Sequence, residues 1–459
     1  MPLSESTEPS CICIRTRGGN RTRAGRFALA LAPLVLLLPA SLAAQAETPD
    51  TIGPDVTVIN LPDTSNWGAT GGIRAYSVGT TSCNIGNAPV AWCDAPGGCL
   101  GGTLQINDHP VIAQNIYRLK NNRFEQIGMS WLKHGWLSTN SPSGACGPGS
   151  CTIPPGGGDQ LGIGCTDTYG SGLNGGTGNP GTCDFPSDCR LGQRSAINAT
   201  TGDFPMPYHN VAHTLNIDQR IQVAESDVDP ALNAGASFWV EGQYLAADDG
   251  VANNAFNNAS YRGVTVGVSP FNLSLTGSTF REQTALRAWT ATDATVLLLN
   301  VDIPGSNPGE RFEVARKVTN PSPGLWHFEY AIRNMNSDRS AQALQIDFPD
   351  GTLVTNIGFK DIDHHSGEPY STADWTSSVD VPNSVVSWAT DLFTTDPNAN
   401  ALRFATMFNF WFDADSPATL THRLTLFKPG SPTFVDFSFV LFADGFETGN
   451  TSLWSATVP

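Results

Sequence analysis

Eight cysteines lie close together in this chain and constrain its fold more than any other feature. They fall between residues 83 and 189, while the other two of the ten cysteines precede residue 14. The surrounding sequence is rich in glycine, proline, asparagine and serine, as in residues 154–158 and 170–181. Such composition favours long loops that disulfides hold in place. The eight residues are Cys83, Cys93, Cys99, Cys146, Cys151, Cys165, Cys183 and Cys189.

An even number of cysteines predicts a disulfide framework when the chain is bound for an oxidising compartment. All eight can pair, but the sequence does not assign the partners, because eight cysteines allow 105 pairings. Zinc binding is the weaker interpretation, since the sequence has no paired C-x-x-C motifs.

The N-terminus of the chain predicts export. Several arginines between residues 15 and 26 precede an apolar run, Phe27–Leu38, that is too short to span a bilayer. Pro39 follows the run, and Ala44-Gln45-Ala46 matches the small-x-small pattern of a signal peptidase site. We therefore expect residues 1–46 to be a signal peptide, and the mature protein to be secreted or held at the cell surface, in the periplasm or outside the cell.

The chain is acidic, which disfavours nucleic acid as a partner. It has 42 Asp and Glu residues against 25 Lys and Arg, for a formal net charge of −17. Surfaces that bind nucleic acid are usually basic, because they neutralise phosphates. After residue 46 the sequence has no run of about 18 apolar residues, so we expect no membrane span.

Period-two alternation in the rest of the sequence predicts a mostly β protein. We expect residues 47–290 to form a loop-rich, disulfide-rich β domain, with strands that include Ser237–Leu245. A helix is predicted over Thr279–Trp289. Residues 291–441 are expected to form an immunoglobulin-like β-sandwich, because turn clusters separate alternating strands at the spacing typical of that architecture.

The alternation is clearest at residues 326–333, where it predicts one buried face and one face in solvent. Trp326, Phe328, Tyr330 and Ile332 are expected inside, and His327, Glu329, Ala331 and Arg333 outside.

Residues 111–131 are predicted to form a β-hairpin that turns at Asn121-Asn122, because asparagine tolerates the positive φ of a two-residue turn. The hairpin register pairs Leu119 with Phe124, Arg118 with Glu125, and Ile116 with Ile127.

Two histidines stand at the open end of this hairpin. Extending the predicted register places His109 opposite His134, so we expect the two imidazoles to be neighbours. Neighbouring imidazoles can bind a transition metal or act as an acid–base pair, which makes both residues candidate catalytic groups. The alternative is that each histidine forms hydrogen bonds with loop backbone.

A second candidate site is the segment 361–368, which follows a strand predicted at 353–360. Asp361, Asp363, His365 and Glu368 are its metal-capable residues, and strand phase would place the first three on one side. Oxygen ligands suit calcium, whereas His365 with Glu368 would suit a transition metal such as zinc or copper. The alternative is a polar turn that satisfies its own hydrogen bonds.

The C-terminal segment, residues 442–459, contains Phe442-Ala443-Asp444-Gly445-Phe446-Glu447-Thr448-Gly449 and then Trp454. This FxDGFExG…W tail resembles the ends of many exported bacterial proteins. Together with the stretch Gln126–Gly135, it makes the chain resemble an uncharacterised family of such proteins. The resemblance implies a bacterial source and a sorting or surface-retention role for the tail, and it implies no activity.

These features favour an exported structural, adhesive or glycan-binding module, with a cell-surface or glycan partner. Aromatic side chains stack on sugar rings, and the chain has 11 Trp and 8 Tyr. The alternative is a secreted metal-dependent hydrolase or oxidase that uses His109 and His134. The sequence leaves open whether the protein is an enzyme and whether calcium or a transition metal is its cofactor.

Overall fold

The computed structural model describes most of the chain after the predicted signal peptide. The described residues are 52–92, 109–135, 137–142, 146, 150–175, 181–183, 191–204, 208–210, 216–417 and 420–439. All of them belong to one compact unit, Ala46–Pro459. The signal peptide predicted at 1–46 and the tail predicted at 442–459 lie outside the described residues, and both stay predictions.

Among the described residues, seventeen strands precede residue 290, with short turns or long loops between them. They are β1 Val56–Asn60, β2 Thr64–Thr70, β3 Ile73–Val78, β4 Thr80–Asn84, β5 Val90–Ala91, β6 Val111–Lys120, β7 Arg123–Met129, β8 Leu132–His134, β9 Gln160–Leu161, β10 Thr166–Tyr169, β11 Gly181–Cys183, β12 Leu191–Gly192, β13 Tyr208–Asn210, β14 Ile221–Ala224, β15 Ser237–Leu245, β16 Ala259–Val266 and β17 Leu273–Phe280.

Ten further strands follow residue 290. They are β18 Leu297–Asp302, β19 Arg311–Ser322, β20 Leu325–Asn334, β21 Ala341–Asp347, β22 Val354–Lys360, β23 Thr376–Asp380, β24 Val385–Ala389, β25 Met407–Ala414, β26 Thr421–Leu426 and β27 Phe434–Phe437. Helices are short: α1 Glu225–Val228, α2 Ala247–Val251 and α3 Arg287–Thr292, with 3-10 turns at Gly157–Asp159, Ser171–Gly175, Arg194–Ala196 and Ala255–Asn257.

The prediction of a mostly β protein is confirmed, with 46% strand and 8% helix. The helix predicted over Thr279–Trp289 is largely wrong, because β17 continues to Phe280 and α3 begins only at Arg287. Among the described residues there is no helix with the length and apolar character that crossing a bilayer requires.

The first half of the fold is built around a large antiparallel sheet. Its order is β12-β8-β6-β15-β16-β17, and β7 also pairs with β6. Smaller sheets, β1-β4-β10 and β14-β3-β2, cover one of its faces and share a core with it. Disulfides brace this half: Cys83 pairs with Cys146, and Cys151 pairs with Cys165. The pairing of the other four cysteines lies outside the described residues.

The second half consists of two five-stranded sheets that enclose one core. Their orders are β18-β19-β20-β25-β22 and β23-β24-β21-β26-β27. Both sheets contribute to the same cluster of buried aromatic and aliphatic side chains, centred on residues such as Tyr330, Trp388 and Phe410. The immunoglobulin-like assignment is not confirmed, since the constant-type immunoglobulin fold has sheets of four and three strands.

The division into domains at residue 290 stays a prediction. Each sheet draws its strands from only one side of that residue, as separate domains would. A further core, however, contains buried side chains from both halves, including Tyr117 and Phe124 from the first and Ala331 and Met407 from the second. The two halves therefore pack through a buried interface.

This interface explains why the face of β20 that was predicted to lie in solvent is buried instead. Glu329 is 4% exposed, and Ala331 and Arg333 are fully buried. The hydrophobic pattern of β20 identifies the face that packs inside the core of the second half. The opposite face is covered by a strand about 200 residues earlier in the chain, as the ion pair between Arg123 and Glu329 shows. Polar side chains on this face are buried because they are paired.

The most deeply buried of these pairs joins Glu241 on β15 to Arg333 on β20, with Nη2 2.9 Å from Oε1 and both side chains fully buried. Burial alone would raise the pKa of Glu241, but the Arg333 guanidinium and several hydrogen bonds outweigh it and the pKa is lowered. The donors are the side chains of Asn115 and Tyr117, each at 2.9 Å, and the backbone N–H of Ala285 at 2.7 Å.

Candidate functional site

The hairpin β6–β7 supplies the first candidate site. Its turn is confirmed, since Asn121 and Asn122 both have positive φ, 51° and 68°. Near the turn the predicted register is also correct, with Leu119 opposite Phe124. The predicted pairing of Ile116 with Ile127 is wrong, because Ile116 pairs with Gly128 and Ile127 is the extra residue of a β-bulge.

The bulge shifts the open end of the hairpin but leaves the two histidines together. His134 ends β8 and pairs with Val111, two residues beyond His109. His109 Nε2 lies 2.7 Å from His134 Nδ1, so the predicted proximity is confirmed. The Phe204 ring packs against both imidazoles, with centroid distances of 4.9 and 5.0 Å.

The histidine pair is sealed from solvent. His109 is 3% exposed and His134 is 5% exposed. Burial lowers the pKa of His109 to about 3, and burial together with the neighbouring His109 lowers the pKa of His134 well below its ordinary value. Both rings are therefore neutral at physiological pH, a state suited to hydrogen bonding or metal binding but not to a freely exchanging acid.

The segment 361–368 does not form one cluster. The Asp361 carboxylate accepts a hydrogen bond from Asn400, and burial raises the pKa of Asp361 to about 7. Asp363 lies at the surface and pairs with Lys360. These two side chains thus have separate protein partners.

His365 and Glu368 turn into the protein. Burial lowers the pKa of His365 to about 4. The Glu368 carboxylate accepts hydrogen bonds from the backbone N–H groups of Arg194 at 2.5 Å and Ser195 at 3.1 Å, and burial raises its pKa to about 7. Glu368 therefore anchors a 3-10 turn of the first half to a loop of the second.

Arg194 strengthens that junction. Its buried guanidinium donates to the carbonyl oxygens of Ser130 at 2.7 Å, Gln114 at 3.1 Å and Ala405 at 3.1 Å. In the described part of the chain, no three His, Cys, Asp or Glu side chains are grouped so that they could hold a metal ion. Within the described residues, His365 Nδ1 is buried without a hydrogen-bond partner, so the polar turn and the metal site at residues 361–368 both stay predictions.

An open cleft lies instead beside the strands β15 and β16, at a place that the sequence analysis did not select. We call it the indole cleft, and its volume is about 480 Å³, within the ~300–1,000 Å³ of typical ligand sites. Its principal lining residues are Trp239, Gly263, Thr265, Thr276 and Asn233.

Gly263 brings two lining residues of this cleft close together. It pairs with Trp239 on one side and Thr276 on the other, in the middle of a three-stranded segment. A Cβ at residue 263 would meet Thr276 Oγ1 at 2.8 Å and Trp239 Cδ1 at 4.0 Å. Because residue 263 has no side chain, the exposed Thr276 hydroxyl occupies the place of a Cβ there and lies near the half-buried indole.

The Trp239 ring is held in a fixed position. It packs on Phe124, with ring centroids 5.5 Å apart and the planes inclined by 47°. A rigid indole beside hydroxyl groups offers an apolar surface and hydrogen-bonding partners together, which is a combination suited to sugars. The sequence signal for this site was the glycine inside a strand, which often marks a close approach by a ligand or another backbone.

Comparison with known proteins adds no assignment. No protein-family model matches the chain, and no curated protein matches it at a significant level.

Proposed function

We propose that the protein is an exported binding module, structural or adhesive in role, that holds a glycan in the indole cleft. The observation that carries this proposal is the open cleft that Trp239, Gly263 and Thr276 line together. The cleft is open to solvent, whereas the histidine pair, the best candidate for catalysis in the sequence, is buried.

Export to the cell surface or the extracellular space is part of the proposal. Its support is the disulfide bonding of Cys83 with Cys146 and of Cys151 with Cys165, because such bonds persist mainly in oxidising compartments. The signal-peptide pattern at residues 1–46 agrees with that placement.

The test is a binding measurement on the purified protein with a panel of neutral oligosaccharides, first on an array and then by calorimetry. We expect millimolar to micromolar affinity for at least one of them, and at least a tenfold loss in Trp239→Ala and in Gly263→Val. The first variant removes the stacking surface, and the second displaces the Thr276 hydroxyl, because a Cβ at residue 263 would lie 2.8 Å from Thr276 Oγ1.

Trp326→Ala is the matched control, because Trp326 is also a half-buried tryptophan on a strand but lies in the second half, away from the cleft. Its affinity should equal that of the wild type. Absence of binding to every oligosaccharide, or equal affinity in all four proteins, would reject the proposal.

A secreted metal-dependent hydrolase or oxidase is the second candidate, and the contact between His109 and His134 favours it. A tetrahedral zinc ion about 2.0–2.1 Å from each ligand nitrogen holds the nitrogens roughly 3.4 Å apart. The pair at 2.7 Å would have to open slightly to admit such an ion.

Metal analysis of the purified protein tests this candidate. If the candidate is right, the wild-type protein contains a stoichiometric transition metal that is lost in His109→Ala and in His134→Ala. The metal is retained in His364→Ala, which removes a histidine outside the pair. Metal-free protein whose melting temperature is unchanged by zinc or copper would eliminate it.

A further inference from the structure

A second cleft lies beside the strands β16 and β17 and faces β1, β4 and β10. We call it the arginine cleft, and its volume is about 710 Å³. Its polar lining comes mainly from Asn60, Thr81, Thr168, Arg262, Thr279 and Arg281. These described lining residues include two cations and several hydroxyl groups, and no carboxylate.

A wide bulge in β17 forms one wall of this cleft. Tyr261 pairs with Phe280 and Gly263 pairs with Thr276, so Arg262 alone lies opposite the three residues 277–279. Gly277 has φ of +60°, and a Cβ there would meet no atom within 4 Å. Bulges on edge strands commonly redirect side chains near functional sites.

The bulge is fixed to strand β1 by hydrogen bonds. The Thr279 hydroxyl accepts a hydrogen bond from the backbone N–H of Leu61 at 3.0 Å. The same hydroxyl donates a hydrogen bond to Asn60 Oδ1 at 3.1 Å. The wall that faces Arg262 is therefore pre-formed, which reduces the entropy lost when a ligand binds.

The Arg262 guanidinium has an incomplete set of partners. Its Nη1 donates to the Leu61 carbonyl oxygen at 2.9 Å, and its Nε is buried without a hydrogen-bond acceptor. Among the described ion pairs none involves Arg262, although the chain carries a net charge of −17. A partly buried cation without a counter-ion is costly, and an anion that enters the cleft would remove that cost.

A second guanidinium lies in the same cleft. Arg281 is exposed and its Nε donates to the Ile59 carbonyl oxygen at 2.9 Å, which holds the side chain along β1. The hydroxyl groups of Thr81 and Thr168 lie 3.0 Å apart on the opposite wall. Two guanidinium groups with hydroxyl donors form a suitable environment for an oxyanion, which arginine binds through paired N–H groups.

We propose that the arginine cleft binds an oxyanion, either a carboxylate or a sulfate group. Two sources share this chemistry, an acidic glycan and a free inorganic ion. The proposal does not depend on the indole cleft, because neighbouring residues of a strand point to opposite faces, and Arg262 and Gly263 accordingly serve different clefts.

The experiment is calorimetric titration of the purified protein with inorganic sulfate and, separately, with an oligogalacturonate. We expect saturable binding of at least one probe that weakens as sodium chloride is raised. Arg262→Met and Arg281→Met keep much of the side-chain volume and should each lose at least tenfold in affinity. Arg423→Met is the matched control, since Arg423 pairs with Asp436 at the surface of the second half.

The outcomes separate the sources. If Arg262→Met and Arg281→Met both lose sulfate binding, the proposal is supported and the ligand is a free ion. If they lose only oligogalacturonate binding, the proposal is supported and the ligand is an acidic glycan. Failure of both probes to bind at 10 mM, or equal affinity in the wild type and both variants, overturns it. If Arg262→Met does not fold, the exposed Arg281 decides the result by itself. Trp239→Ala should leave oxyanion binding unchanged, so failure of the glycan proposal remains distinguishable.

Discussion

Two β-bulges in the first half of the protein have opposite consequences. The bulge in β7 inserts Ile127, a side chain that is 6% exposed, and the hairpin end beyond it closes over the two histidines. The bulge in β17 places three small, polar residues, 277–279, opposite the single residue Arg262 and leaves a cleft there. The inserted side chains make the difference, because an apolar residue packs into the core whereas Gly, Ser and Thr leave room for solvent or ligand.

This comparison assigns different roles to the polar groups of the two regions. Those in the interior, such as the histidine pair and Glu241 with Arg333, are satisfied by protein partners and should influence stability. Those in the clefts have surfaces open to solvent and should influence ligand affinity. Substitutions in the interior and in the clefts can test this division of roles.

The largest expected effect is that of Arg333→Met. It leaves the Glu241 carboxylate buried without its counter-ion, and removal of one partner from a buried pair costs about 3–5 kcal/mol. Urea denaturation should show this loss in the free energy of unfolding. Arg423→Met, which breaks a surface pair, should change it far less, because solvent screens exposed ion pairs. Similar changes in the two variants would contradict the division.

Gly128→Ala tests the closed bulge directly. A Cβ at residue 128 would lie 2.7 Å from the Gln222 carbonyl oxygen and 2.7 Å from Val223 Cγ2, so we expect a loss of about 2–3 kcal/mol from overpacking. Gly277→Ala in the open bulge meets no atom and should cost only about 1 kcal/mol for its positive φ. Thermal unfolding of both variants checks the order, and the reverse order would refute it.

The histidine pair should make the protein less stable in acid. The folded-state pKa of His109 is about 3, below the ordinary 6.5, so below pH 6.5 the unfolded chain binds a proton that the folded protein excludes. The resulting loss in the free energy of unfolding is about 2 kcal/mol at pH 5. The free energy of unfolding of His109→Leu should fall less between pH 7 and pH 5 than that of the wild type. Parallel profiles would show that the pair is not sealed.

Asp361→Asn should stabilise the protein by about 1–2 kcal/mol at pH 8. The pKa of Asp361 is raised to about 7 in the folded protein. The folded protein therefore loses stability as pH rises from the pKa of the unfolded chain through 7, because the carboxylate must ionise while it is buried. Asparagine can still accept the Asn400 hydrogen bond without a charge. Asp363→Asn, at the surface, is the control and should have little effect. A loss of stability in Asp361→Asn, together with stabilisation of the wild type by calcium, would favour a metal site instead.

The smallest expected effect is that of His327→Gln at the rim of the interface. Hydrogen bonding to Glu329 raises the pKa of His327, against the effect of burial, and Asp413 adds to the rise. This group therefore stabilises the fold below pH 6.5, and its contribution disappears as pH rises through the folded-state pKa. The variant should lose less than about 1 kcal/mol at pH 5.5 and nothing at pH 8.5. A larger loss at pH 8.5 would reverse the expected sign.

Local patterns in the sequence predicted several features correctly. Alternation located β15 at Ser237–Leu245, and the asparagine pair fixed the turn of the hairpin. These features depend on residues near one another in the chain, so a short window contains the necessary information.

Other predictions required contacts that a local window does not contain. The register beyond Ile127 changed because the bulge allows Ile127 to pack into the core. The acidic residues at 361–368 gained partners from distant loops, such as Arg194 and Asn400. Trp239 and Thr276 became a cleft only when strand pairing brought both beside Gly263.

The sequence by itself determined that this chain is mostly β, where its main hairpin turns and that His109 and His134 approach each other. Tertiary structure decided that the outer face of β20 is buried, that the histidines are sealed and that the clefts beside β16 stay open. The physical reason is that alternation reports only which face of a strand is apolar. Whether a polar face meets solvent or a paired partner depends on segments that lie far away in the chain.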